Sequence, residues 1–113
     1  MNIKGIGTDL TKRDRFNKDN IKFNNKFLNK DELEILENLN EEDTINFLSG
    51  RWTAKEAIVK AFNKEILFSD ISILKLESGK PVVYLNGNLQ ENIHVSITHE
   101  KSLTIAFCVI EKV

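Results

Sequence analysis

Residues 49–62 read SGRWTAKEAIVKAF, and this stretch predicts a long helix with two opposed faces. With Asn40 as its N-cap, the helix is expected to run to about Asn63. Its apolar face consists of Phe47, Ala54, Ile58 and Ala61. Glu56 points roughly 160–200° away from that face, and Lys60 follows one turn later on the same side. The Glu56–Lys60 face therefore predicts either a surface ion pair or a site for a metal-bound phosphate.

Upstream of this helix, the sequence predicts one strand and two shorter helices. Residues 4–9 are expected to form a strand that ends at Asp9, and residues 11–16 to begin a helix. The capping pattern Asn-x-x-Glu at residues 29–32 predicts a second helix over residues 30–38. Asp9 thereby becomes a second carboxylate at the polar edge of the fold.

Downstream of the helix, apolar residues alternate along four segments, as they do in half-buried strands. Residues 78–81 are expected to form a turn, and residues 99–102 to join the last two strands in a hairpin. The predicted strands are residues 70–77, 81–85, 93–98 and 103–109. Together with the helices they predict a single α+β domain over residues 1–113, in which an antiparallel sheet packs on a long helix.

Composition excludes several classes of protein. The net charge of −1 argues against a general nucleic-acid binder. No run approaches the roughly 20 apolar residues that span a bilayer, and the first residues lack the pattern of a signal peptide. Cys108 is the only cysteine, which excludes an intrachain disulfide and a cysteine metal cluster. We therefore expect a cytoplasmic protein with a small core, which oligomerisation would extend.

The charges are unevenly distributed along the chain. Residues 1–30 hold eight Lys or Arg against three Asp, whereas residues 31–46 hold seven acidic residues and no base. One interpretation is two solvated helix faces that partly neutralise each other. The other is a basic patch for an acidic partner, which long-range electrostatics would attract.

Several residues are candidates for a ligand site. Asp9 and Glu56 are enough to hold Mg²⁺ if the substrate supplies phosphate oxygens. Arg51 lies about 140° around the helix from Glu56, so it reaches a different phosphate or a neighbouring subunit, or else is exposed or paired with an acid. His99 shares the parity of the apolar residues of its strand, which predicts a half-buried histidine at the hairpin or, with Thr98, a ligand contact.

Glycines mark two further positions. Gly50 inside the long helix costs about 1 kcal/mol relative to Ala, which predicts a close approach by backbone or ligand. The sequence Gly-Ile-Gly at residues 5–7 precedes no third glycine and is too short for a dinucleotide-binding fingerprint.

Taken together, these motifs resemble the holo-acyl-carrier-protein synthases, the small class of phosphopantetheinyl transferases. The block FLSGRWTAKEA at residues 47–57 is specific, and the resemblance covers nearly the whole chain. The other anchors, in the order typical of the family, are GIGTD at 5–9, KAF at 60–62, DISI at 70–73, GKP at 79–81 and VSITH at 95–99.

The resemblance implies a reaction and a metal. Such enzymes transfer 4′-phosphopantetheine from coenzyme A to a serine of apo acyl carrier protein, in fatty acid synthesis, and release adenosine 3′,5′-bisphosphate. By this resemblance Asp9 and Glu56 would bind Mg²⁺, which also binds the pyrophosphate of coenzyme A, and Lys60 would contact the phosphates. The base that takes the serine proton would be Glu56 or a metal-bound water.

The resemblance also implies binding residues away from the metal. The residues expected around the adenosine bisphosphate are Arg51, Gly79, Lys80, Pro81, Thr98 and His99. Arg15, with Lys18 and Lys22, would dock the acidic helix of the carrier protein, which agrees with the basic N-terminal segment. Members of the family are typically homotrimers with sites between subunits, so Arg51 need not share a face with Glu56.

One segment departs from the pattern of the family. The family usually has a glycine-rich stretch after the long helix, whereas residues 62–68, FNKEILF, are shorter and contain no glycine. Two other interpretations stay open, and this segment motivates the first of them. One is a non-catalytic module on the same fold that binds coenzyme A or a carrier protein, and the other is a purely structural trimeric protein.

Overall fold

A computed structural model describes residues 2–113 as an α+β fold. The strands are β1 (Ile3–Lys12), β2 (Ile71–Lys75), β3 (Pro81–Leu85), β4 (Asn88–Leu89), β5 (Ile93–Glu100) and β6 (Leu103–Glu111). The helices are α1 (Ile21–Phe27), α2 (Lys30–Glu37) and α3 (Glu41–Phe62), with 3₁₀ turns at Arg13–Arg15 and Phe68–Asp70. None of the helices in the described part of the chain is long and apolar enough to cross a membrane.

The strands form two antiparallel sheets of three strands each, where the sequence suggested one. Their orders are β1-β6-β5 and β2-β3-β4. Helix α3 packs on the inner side of the first sheet and buries the apolar face predicted for it. The core between the helix and the sheets consists of Ala54, Ala57, Ile58, Ala61, Ile71, Ile73, Val83, Ile93, Ala106, Cys108 and Ile110.

The close packing of β1 on α3 depends on two glycines. A Cβ at Gly5 would lie 1.9 Å from the carbonyl oxygen of Ala61, and one at Gly7 would lie 2.0 Å from that of Ala57. No side chain fits at those distances, so only glycine lets the strand lie directly against the helix backbone. The Gly-Ile-Gly sequence is therefore a packing device, and it brings the residues that follow it to the same helix.

The N-terminal elements differ from the prediction in two ways. β1 continues to Lys12, because Thr11 pairs with Thr104 and Lys12 with Leu103. The helix predicted over residues 11–16 is wrong, and only a 3₁₀ turn follows the strand. Asp9 does not end the strand but lies within it, opposite Ala106.

The two helix caps predicted at Asn29 and Asn40 are confirmed. Asn29 and Glu32 form the predicted capping box at the start of α2. The Asn40 side chain accepts from the backbone N–H of Asp43 at the start of α3, and Asn63 ends that helix with a left-handed φ of 56°. Pairing in the β5–β6 hairpin extends through Glu100, so the turn is tighter than predicted.

A second, aromatic core lies beneath α1 and α2. Its rings pack with centroids between 5.1 and 6.3 Å apart, in tilted and edge-to-face arrangements. The rings are those of Phe16, Phe23, Phe27, Trp52 and Phe68. Trp52 is partly buried against this core, and through it α3 contacts the rings of α1 and of the Phe68 turn.

A buried ion pair links this core to β2, and the sequence did not predict it. Lys55 and Glu32 both have fully buried side chains, with Nζ 2.6 Å from Oε1. Lys55 also donates to the carbonyl oxygens of Phe27, at 2.6 Å, and Phe68, at 3.0 Å. The other carboxylate oxygen of Glu32 accepts from the backbone N–H of Ile73, at 3.0 Å. The pair therefore joins α1, α2, α3 and β2 at one point.

Candidate functional site

Asp9, Glu56 and Lys60 meet where β1 crosses α3. Asp9 has the same parity as Gly5 and Gly7, so it faces the helix as they do. Lys60 donates to Oδ1 of Asp9 at 2.9 Å and to the carbonyl oxygen of Thr8 at 3.0 Å. The ion pair of Lys60 is therefore with Asp9, 51 residues away in sequence, and not the surface pair with Glu56 that helix spacing allowed.

The electrostatics of Glu56 show how close these groups are. Partial burial raises the pKa of the Glu56 carboxyl, and the negative charge of Asp9 raises it further. Lys60 and Arg15 act in the opposite direction and lower the pKa of Glu56. Two carboxylates that repel each other in a half-buried site are a favourable arrangement for a cation.

The two carboxylates at this point agree with a hard divalent cation that takes most of its ligands from water and substrate. Within residues 2–113 no cluster of three or more His, Cys, Asp or Glu side chains has the geometry of a metal site. Mg²⁺ commonly takes only one or two carboxylates and fills its octahedron with waters and substrate phosphates. Asp9 and Glu56 are the residues that could hold such an ion.

A cleft of about 680 Å³ opens on another side of α3. It lies between the first half of the helix, the β2–β3 turn and β5. Its lining includes Arg51, Lys75, Gly79, Pro81 and His99, together with apolar residues such as Leu39, Phe47 and Ile97. Four of the residues expected around the adenosine bisphosphate thus line one cavity, whereas Lys80 and Thr98 are not among its lining residues within the described chain.

Arg51 is buried in the floor of this cleft, contrary to the alternative of an exposed or acid-paired side chain. Its Nε donates to the carbonyl oxygen of Ile73 at 3.1 Å, and its guanidinium lies 4.1 Å from the centroid of the Phe47 ring. Burial lowers the pKa of Arg51 to about 10, partly offset by the charge of Glu32. The guanidinium therefore remains positive at neutral pH, and its contacts with Ile73 and Phe47 fix its position in the cleft.

His99 is half-buried at the rim of the cleft, as its strand parity predicted. Its Nδ1 lies 2.7 Å from the hydroxyl of Thr104. Burial lowers the pKa of His99, and the positive charges of Arg13, Lys75 and Arg51 lower it further. Sequence reasoning missed Thr104, because its contact with His99 depends on the register of the hairpin.

Thr98 lies on the other face of β5, with the outer side of the first sheet. That outer side is unusually apolar: the exposed fractions are 60% for Ile6, 58% for Leu10, 43% for Ile105 and 47% for Phe107. Leu10 pairs with Ile105, which pairs with Thr98, so these side chains form one row across the sheet. A contiguous exposed apolar face of this kind typically marks a protein–protein interface.

The basic residues expected to bind a partner are all exposed. They are Arg15, Lys18 and Lys22. The Arg15 guanidinium lies 5.4 Å from the centroid of the Trp52 ring, and it is near enough to Glu56 to lower the pKa of that carboxyl. Arg15 therefore connects the basic surface to the carboxylate site, and the docking role of the three residues stays a prediction.

Comparison with known proteins shows what this geometry is similar to. Residues 5–108 match the model of the 4′-phosphopantetheinyl transferase superfamily. The chain is 39% identical over 116 residues to a holo-[acyl-carrier-protein] synthase of Listeria monocytogenes, covering 96% of this chain and 98% of that protein. It is 38% identical over 117 residues to that of Bacillus subtilis, covering 97% of each.

Solved structures agree with these relatives. A crystal structure of a holo-(acyl-carrier-protein) synthase from Bacillus anthracis in complex with CoA (3′,5′-ADP) superposes with a TM-score of 0.87 at 31% identity, covering 98% of both chains. The holo-ACP-synthase from Plasmodium yoelii superposes with a TM-score of 0.82 at 35% identity, covering 96% of this chain and 94% of that one. The likeness therefore extends over nearly the whole chain.

Proposed function

Because the chain belongs to the 4′-phosphopantetheinyl transferase superfamily, we propose that it is a holo-acyl-carrier-protein synthase. It transfers 4′-phosphopantetheine from coenzyme A to a serine of apo acyl carrier protein and releases adenosine 3′,5′-bisphosphate. The observation that carries this proposal is the near full-length match to proteins of that name at 38–39% identity. The proposal places the protein in the cytoplasm, in fatty acid synthesis.

The reaction replaces one oxygen on phosphorus by another, so positioning and charge neutralisation supply most of the catalysis. Lys60 is held by Asp9 and the Thr8 carbonyl, which aims its ammonium at the carboxylate site where the pyrophosphate would lie. Arg51 and His99 would hold the adenosine bisphosphate end from the cleft. Holding the adenosine bisphosphate and the pyrophosphate in fixed positions would orient the reacting phosphorus, which is part of the pyrophosphate.

We propose that Asp9 and Glu56 hold Mg²⁺ in the working enzyme. The support is that two carboxylates of like charge face each other in a half-buried position, which raises the pKa of Glu56. Bound there, Mg²⁺ would neutralise charge on the pyrophosphate of coenzyme A. Glu56→Gln should then abolish most of the transfer while the fold remains intact.

We also propose that the active protein is a homotrimer assembled through the outer face of the first sheet. The exposed apolar side chains of that face would be covered by neighbouring copies. Assembly would also explain why the carboxylate site and the cleft lie on different sides of α3, since one copy would supply each half of a shared site. Thr98, on the outer face, would then lie near a neighbouring subunit.

Light scattering after size exclusion tests this assembly. Phe107→Asp places a charge in the middle of the apolar face, so we expect monomers with the fold retained. Leu67→Asp is the matched control, because Leu67 is 70% exposed but lies outside the sheet. A Phe107→Asp protein that still elutes as a trimer would refute this interface.

The activity itself is tested by incubation with coenzyme A, Mg²⁺ and an apo carrier protein. The mass of the carrier should rise by one phosphopantetheine group, and the rise should disappear with a chelator or with Glu56→Gln. No mass change with any carrier from the same organism would overturn the proposal. Calorimetric binding of coenzyme A without transfer would instead favour the non-catalytic module that the glycine-free segment of residues 62–68 suggested.

A further inference from the structure

A chain of three hydrogen bonds runs from the cleft into α3. The His99 Nδ1 lies 2.7 Å from Oγ1 of Thr104, and that oxygen lies 2.8 Å from Oγ of Ser49. The Ser49 hydroxyl donates to the carbonyl oxygen of Ile45, at 2.8 Å. Thr104 and Ser49 are fully buried, so water does not compete for these bonds.

The chain has a direction. A carbonyl oxygen only accepts, so the single proton of Ser49 goes to Ile45, and the Ser49 oxygen must accept from Thr104. Thr104 has then used its own proton, so its oxygen accepts from the Nδ1–H of His99. The reverse order would leave the oxygens of Ser49 and Ile45 2.8 Å apart with no hydrogen between them. His99 therefore has its proton on Nδ1.

The other nitrogen of His99 faces the cleft. The position that a Cβ of Gly50 would occupy lies 3.5 Å from Cε1 and 3.7 Å from Nε2 of the imidazole. Gly50 thus leaves this edge of the ring uncovered, and within residues 2–113 Nε2 has no hydrogen-bond partner. In neutral His99 this nitrogen carries a lone pair and no hydrogen. It therefore cannot donate a hydrogen bond to the oxygen atoms of an anion.

Burial and the positive charges around His99 both favour the neutral imidazole. Arg13, Lys75 and Arg51 face it from the β1 end, β2 and α3, and they lower its pKa together with burial. The one carboxylate that lines the same cleft in the described chain is Asp43. A phosphate group would neutralise these cations and would also need a hydrogen-bond donor at Nε2. Both changes favour the protonated imidazole.

We propose that Thr104 and Ser49 are positioning residues that hold the His99 proton on Nδ1, so that a phosphate group entering the cleft is bound with uptake of one solvent proton on Nε2. The inference rests on the proposed function, which supplies coenzyme A as the phosphate-bearing ligand. By linkage, the affinity for coenzyme A should fall by up to about tenfold for each unit by which the pH rises. This holds over the pH range in which His99 is neutral in the free protein and charged in the complex.

The tautomer is tested without a ligand. In the free protein at pH 8, ¹⁵N NMR should show Nδ1 of His99 protonated and Nε2 unprotonated. Thr104→Ser keeps the hydroxyl and should leave the pattern unchanged, whereas Thr104→Val removes the acceptor and should move the proton to Nε2. A proton on Nε2 in the unaltered protein would overturn the inference.

Proton uptake is tested by calorimetry with coenzyme A at pH 7.5, in buffers of different ionisation enthalpy. The unaltered protein and Thr104→Ser should take up about one proton more per site than His99→Gln. Thr104→Val should lose most of that uptake while still binding, because its Nε2–H can donate to phosphate directly. Equal uptake in all four proteins would refute the proton linkage. No binding of coenzyme A by the unaltered protein would instead contradict the proposed function, and the NMR result would stand apart from it.

Discussion

The buried Lys55–Glu32 pair allows a quantitative test of how the short helices are held on α3. Lys55→Met keeps the length of the side chain but removes all three hydrogen bonds of its ammonium group. Glu32 would retain its bond from the Ile73 backbone but lose the ammonium group that lies 2.6 Å from its carboxylate. Removing one member of a fully buried ion pair typically costs about 3–5 kcal/mol, since the other charge stays uncompensated.

That loss is large for a domain of this size. Such proteins are stable by about 5–15 kcal/mol, and at about 4 °C per kcal/mol the melting temperature should fall by roughly 12–20 °C. Urea unfolding at a fixed protomer concentration measures the free energy directly. The matched control is Lys112→Met at an exposed lysine, where we expect a change within about 0.5 kcal/mol.

A double variant separates the ion pair from simple loss of packing. Glu32→Gln removes the charge that Lys55→Met leaves behind, so the double variant should lose less stability than the sum of the two single variants, by about 1–3 kcal/mol. If Lys55→Met costs under about 1 kcal/mol, or if the two losses simply add, the ion pair does not hold these elements together.

Three other substitutions test the packing and the site. Gly7→Ala would place a Cβ 2.0 Å from the Ala57 carbonyl oxygen, so urea unfolding should show a loss of about 3 kcal/mol or more, and a loss under 1 kcal/mol would contradict the close packing. Glu56→Gln should raise the melting temperature slightly at pH 8 while removing activity. The native state raises the pKa of Glu56, so the ionised carboxyl destabilises the fold above that pKa. The unaltered protein should therefore gain stability as pH falls through the pKa, and the difference between the two should shrink in melting curves from pH 8 to pH 5. Gly50→Ala should stabilise α3 by up to about 1 kcal/mol. It should also weaken coenzyme A binding, because the added methyl group would lie 3.7 Å from Nε2 of His99. Unchanged affinity in calorimetry would argue against an open edge of the imidazole.

Signals that act over a few residues were sufficient for much of the fold. The capping pattern at residues 29–32 and the Asn40 cap predicted the starts of α2 and α3, because a cap is a contact within one helical turn. The alternation along residues 93–98 and 103–109 predicted the β5–β6 hairpin, because alternation is also a pattern among neighbouring residues. The family motifs occur along the sequence in the order typical of the family, and they predicted the reaction.

The failures have a common cause. Thr11 favours a helix start as a local signal, but pairing of β1 with β6 extends the strand through it. Lys55 looks like an ordinary charged residue of a helix, and only the packing of α2 brings Glu32 to it. Helix geometry left Arg51 open to a phosphate, a neighbouring subunit, solvent or an acid, and only the fold buries it against the β2 backbone.

The sequence alone thus determines most of the elements, the fold class and the reaction of this protein, because periodicity, caps and motifs depend on neighbours in the chain. The tertiary structure decides which groups work together. Asp9 contacts Lys60, 51 residues away in sequence, because two glycines let β1 lie against α3. No local sequence pattern predicts a contact over that separation. Likewise His99 obtains its proton arrangement from Thr104 and Ser49 only once the hairpin has docked on the helix.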